Sequence, residues 1–183
     1  MRASKVLAAL ALAATLGVVA ASAFIRLSGQ PGPALDSART IHRLSASLVA
    51  IFVLVLAGVA LAHRRSVFGA LGALALVVFL AVLGAAAGRA PPPAAALANL
   101  LGGLALAALL AWLLGRARAP LAASLRTRAM ARIGLAAAVL LCAIGGWLEV
   151  YLGHPEPVPL ALARELAAAL LLCALAELQG RLA

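Results

Sequence analysis

Six apolar runs follow one another along this chain, each close to the roughly 20 residues that a helix needs to cross a bilayer. They extend from about Val6 to Ile25, Leu44 to Ala62, Val67 to Gly88, Ala94 to Leu114, Ile133 to Leu152 and Val158 to Ala176. Short polar breaks divide them: Ser28-Gly29-Gln30-Pro31-Gly32-Pro33, His63-Arg64-Arg65-Ser66, Arg89-Ala90-Pro91-Pro92-Pro93 and Gly153-His154-Pro155-Glu156-Pro157. A longer, Arg-rich stretch from Gly115 to Arg132 joins the fourth run to the fifth. Abundant Ala and Leu favour helix over strand, and the alternation of a membrane β-barrel is absent. Only 11% of the residues are charged and 66% are hydrophobic, against about 25% charged in an ordinary soluble domain. A water-soluble core of this size could not cover that much apolar surface, whereas lipid is itself an apolar solvent. The expected fold class is therefore an all-α integral membrane bundle of about six transmembrane helices.

The formal net charge is +10, but the arginines lie between apolar runs and are not interleaved with aromatics on one face. That pattern argues for membrane topology and against nucleic acid. With the N-terminus in the cytoplasm, ten Lys and Arg fall on the inner side and five on the outer side. The excess places both termini inside, in a multi-pass protein of the cell (inner) membrane. The first run has a rival reading as a signal peptide, with Arg2 and Lys5 ahead of it and Ala21-Ser22-Ala23 as a small-residue cleavage site. Its apolar stretch exceeds a usual signal core.

Asn99–Arg116 (NLLGGLALAALLAWLLGR) and Arg164–Arg181 (RELAAALLLCALAELQGR) align without gaps, each after a Pro-rich turn. This suggests an internal repeat in which Asn99 corresponds to Arg164. Cys142 and Cys173 sit at different depths in their runs and read as apolar packing residues, not as a disulfide.

Charged groups inside a span are costly and mark functional hypotheses. Arg26, His42, Arg43, Asn99, Glu149, Arg164 and Glu165 all fall toward the outer ends of their runs, which predicts one polar belt near that surface. His42 offers an imidazole nitrogen for heme iron or another metal, and small Ser45 and Ala46 beside it leave room for a flat cofactor. The alternative is a helix-end histidine at the headgroups, with Arg43 on a lipid phosphate. His63 lies about 31 Å away along the helix and belongs to the inner boundary. His154, in an outer loop, is either a solvated side chain or a further metal ligand. Arg164 is expected to pair with Glu149 on the preceding helix, or to bind a propionate, a quinone oxygen or a lipid phosphate. No Walker loop, dinucleotide fingerprint, CxxC or HExxH occurs.

The run Ala23-Phe24-Ile25-Arg26-Leu27-Ser28-Gly29 and the following Ile41-His42-Arg43 resemble two motifs of the heme A synthase family: the end of its first helix and the start of its second. Leu83-Gly84, a Pro-containing turn and an Ala/Leu-rich fourth helix continue the likeness. It covers residues 1–115 as a four-helix unit similar to half of such an enzyme. A basic cytoplasmic linker (116–132) and a two-helix C-terminal hairpin (133–183) follow. Members of that family bind heme near the outer surface and oxidise a methyl group of heme O to the formyl group of heme A. The resemblance implies heme b, His42 as an axial ligand, and Arg26 and Arg43 as propionate or neighbouring partners. It also implies Asn99 and Arg164 at the places where the family's further histidines stand.

Those two substitutions, the absence of a second HR pair and of the outer cysteine pair, and Arg39 in place of an acid set a second expectation beside the enzyme. This is a non-catalytic helical subunit or assembly partner of a respiratory complex, or a homo-oligomer, that keeps the fold without the cofactor. A third, a small transporter, would be expected to expose a midplane cavity.

Overall fold

The computed structural model describes residues 2–28, 32–88, 91–118, 120–153 and 157–182, without the side chain of Arg2. Six helices account for nearly all of them: α1 (Arg2–Ser28), α2 (Pro33–His63), α3 (Val67–Ala87), α4 (Pro93–Ala117), α5 (Leu125–Leu152) and α6 (Val158–Leu182). All six are long and apolar enough to cross a membrane. The chain is an all-helical, multi-pass membrane protein. The start of α1, the α2–α3 turn and the ends of α4 and α6 share one face, called here the terminal face.

Local chemistry sets the helix ends. Pro33 and Pro93 stand in the first turns of α2 and α4, where a fixed φ suits the helix and the missing N–H is no loss. Ser124 caps α5, its side-chain oxygen accepting from the Thr127 N–H at 3.1 Å. At the end of α2, Arg64 turns left-handed (φ 52°). Its N–H then donates to the Leu61 carbonyl and that of Arg65 to the Ala60 carbonyl, which satisfies carbonyls the helix leaves open.

Two helices begin well before their apolar runs. α2 begins at Pro33, well before Leu44, so His42 lies more than two turns inside the helix and does not open it. α5 begins at Leu125 and α4 runs to Ala117, so more than half of the basic link is helical.

α1 and α4 form the centre. On one side α2 and α3 complete a ring of four with them; on the other side α6 packs against both, and α5 against α4 and α6. Ala8, Ala11, Val49, Val53, Leu56, Ala73, Leu106 and Leu110 make the first core. Val19, Leu100, Leu104, Ala138, Ala169 and Leu172 make the second. Small residues let these helices approach closely, which in lipid replaces the hydrophobic drive available in water.

A close backbone approach joins α4 to α6. A methyl group added at Gly115 would strike the Glu177 carbonyl oxygen and crowd the Arg181 amide. One added at Gly180 would strike the Trp112 carbonyl oxygen and crowd the Arg116 amide. The two contacts are exchanged by the same register that aligns Asn99 with Arg164. α4 and α6 thus face each other as the two copies of a repeat related by a pseudo-two-fold axis would.

A buried charge cluster and the cavity beneath it

Away from the terminal face, α1, α5 and α6 bring four charges together. The Arg26 guanidinium donates through Nε to Glu149 Oε1 at 2.9 Å. Through one terminal nitrogen it also reaches both oxygens of Glu165, at 2.5 and 2.6 Å. Arg164 approaches the other oxygen of Glu149 at 3.4 Å. The Glu149 side chain is 4% exposed, Glu165 11% and Arg26 18%. Among the described residues the cluster sets two cations against two carboxylates, and such pairing is what permits burial of charge. The planar, five-donor fork of arginine suits it to two carboxylates at once. The sequence predicts the Arg164–Glu149 pair but not the central place of Arg26. The signal available was arithmetic: a lone cation at the end of one apolar run and two acids in two others, each of which must find a partner.

Below the cluster lies a cavity of about 210 Å³. Leu100 and Leu104 of α4 and Val19 of α1 line it, with the α5 stripe from Ala138 through Cys142 and Gly146 to Glu149 and the α6 stripe from Arg164 to Leu171. Leu141 and Leu171 on its walls are more than half exposed, so it opens sideways toward lipid between α5 and α6. Cys142 borders it as a free thiol, and Cys173 is a buried free thiol nearby.

The expected belt is therefore divided. Asn99 lies one turn along α1 from the cluster, its amide donating to the Ser22 hydroxyl at 3.4 Å. His42 lies against the backbone of Val18, about 12 Å along α1 from Arg26. Arg43 is exposed on another side of α2, and Ser47 donates to its carbonyl. His42 occupies a packed seam: buried Leu35, Ala38, Val49, Val53, Leu56 and Ala60 recur along α2 at three- and four-residue steps, and His42 falls in phase. One turn farther on, Ser45 comes within contact distance of Gly17. The His42 Nδ1 is buried without a hydrogen-bond partner. His63 is exposed at the terminal face, and His154 lies outside the described residues. Among the described residues no three His, Cys, Asp or Glu side chains gather into a metal-binding group.

The one described imidazole on this side of the bilayer packs against α1, and Asn99 and Arg164 hold contacts within the protein. Compared with models of known protein families, with curated proteins and with solved structures, the chain matches none.

Proposed function

We propose that this chain is a non-catalytic helical membrane protein, a subunit or assembly partner of a respiratory complex, that keeps a four-helix plan similar to heme A synthase. One observation carries the reading: the two positions where the resemblance calls for histidines, Asn99 and Arg164, are engaged by Ser22 and Glu149. The α1–α4 ring agrees with the four-helix plan. The internally neutralised cluster serves to lock α5 and α6 onto that ring. The resemblance turns the expected partner toward terminal-oxidase assembly.

Heme binding through His42 alone is the second reading. It is favoured by the buried, unpartnered Nδ1, an atom whose isolation costs free energy in an apolar setting. A single preparation separates the two. Detergent-purified chain is expected to lack a Soret band and to leave the membrane with a larger complex. A Soret band that disappears in His42→Ala would overturn the first reading in favour of the second. Isolation as a cofactor-free monomer that captures no complex would defeat both.

A further inference from the structure

A second pocket, of about 340 Å³, opens at the terminal face, where the α2–α3 turn meets the end of α4. Arg64, Ser66, Phe68, Gly69, Trp112 and Arg116 border it. We infer that this pocket binds the headgroup of an anionic phospholipid.

The case rests on charge, geometry and placement. Two guanidiniums line the pocket, no acid does, and among the described residues neither forms an ion pair with a carboxylate. Glu177, on neighbouring α6, is paired with Arg118 instead. Arg64 is the left-handed residue that closes α2, and the Arg116 guanidinium lies over the Trp112 ring, 5.1 Å from its centroid. Arginine is suited to phosphate oxygens by its fixed fork of donors. Phe68 beside them is 93% exposed at the end of a membrane-spanning helix, where a glycerol backbone and acyl chains would lie against it. Basic pockets between transmembrane helices are known sites for anionic headgroups. An unbalanced pair of cations selects a net-negative lipid over a zwitterionic one, and the apolar wall selects a lipid over free phosphate. The inference is independent of the function proposed above.

The test uses the full chain with Trp147→Phe, so that Trp112 is the one remaining tryptophan. Brominated phosphatidylglycerol should quench Trp112 at about tenfold lower mole fraction than brominated phosphatidylcholine, a difference of about 1.4 kcal/mol. The double variant Arg64→Gln/Arg116→Gln should lose that preference, and Arg116→Lys should keep most of it. Arg126→Gln/Arg128→Gln removes the same charge from exposed positions at the same face and should change nothing. Native mass spectrometry of the chain with both tryptophans should show the same order of lipid retention. Equal quenching by both lipids, equal loss in both double variants, or the same Trp112 response to inorganic phosphate without lipid would overturn the inference.

Discussion

Gly115 and Gly180 mark one close crossing: a Cβ on either would run into the backbone of the helix carrying the other, at the Glu177 and Trp112 carbonyls respectively. A carbonyl cannot swing aside as a side chain can, so the two helices must part if either glycine grows. Gly115→Ala and Gly180→Ala are each expected to destabilise the detergent-solubilised protein by about 1–3 kcal/mol, the usual cost of overpacking. Gly58→Ala and Gly84→Ala, where an added Cβ meets nothing within 4 Å, should instead be neutral or gain up to about 1 kcal/mol from helix propensity. Thermal unfolding of the four variants checks this. Equal effects at all four positions would refute the close crossing.

The charge cluster makes a second claim. Arg26→Gln would leave Glu149 and Glu165 buried without their shared cation; the contact of Arg164 with Glu149, at 3.4 Å, is a longer one. Removing one partner of a buried ion pair costs about 3–5 kcal/mol. Arg26→Gln is expected to approach that range, and adding Glu165→Gln should recover part of the loss. A double variant no more stable than the single one would show that Arg26 does not hold Glu165.

The Arg118–Glu177 pair should behave differently. It lies at the terminal face, with Arg118 45% exposed and Glu177 23%. Exposed pairs contribute about 0.2–1 kcal/mol and weaken with salt. Glu177→Gln should therefore cost under about 1 kcal/mol, and less at high ionic strength. Arg26→Gln measured alongside should be insensitive to salt. If both variants respond alike to salt, the cluster is hydrated.

The six helices were legible because length and hydropathy decide which segments cross lipid. Two boundaries were not. Asp36, Ser37, Arg39 and Thr40 depress the hydropathy at the start of α2, although Pro33 and the Leu35/Ala38 stripe mark a helix there. The azimuth of each side chain was hidden for a related reason. A helix apolar all round carries no amphipathic signal, so the sequence gives the depth of Arg26 or His42 but not the neighbour it faces. Hence the polar belt read as one site, whereas the structure puts Arg26 among α5 and α6 and His42 against α1. The Gly115/Gly180 crossing is the exception, because two glycines at matching positions of the aligned segments needed only register to be picked out.

Topology itself yields the last prediction. In a background lacking Cys142 and Cys173, Ser37→Cys reports the first turns of α2 and Arg65→Cys reports the α2–α3 turn, and both positions are exposed. α2 is 31 residues long, about 46 Å at the helical rise, which exceeds the roughly 30 Å hydrocarbon core. Both probes should therefore reach water, on opposite sides. A membrane-impermeant maleimide added to intact cells should label Ser37→Cys, and it should label Arg65→Cys only after permeabilisation, as the Lys/Arg excess predicts. Reversed labelling would invert the orientation and leave the fold intact. Labelling of both from outside would mean that α2 does not cross the membrane, and the six-span architecture would fall with it.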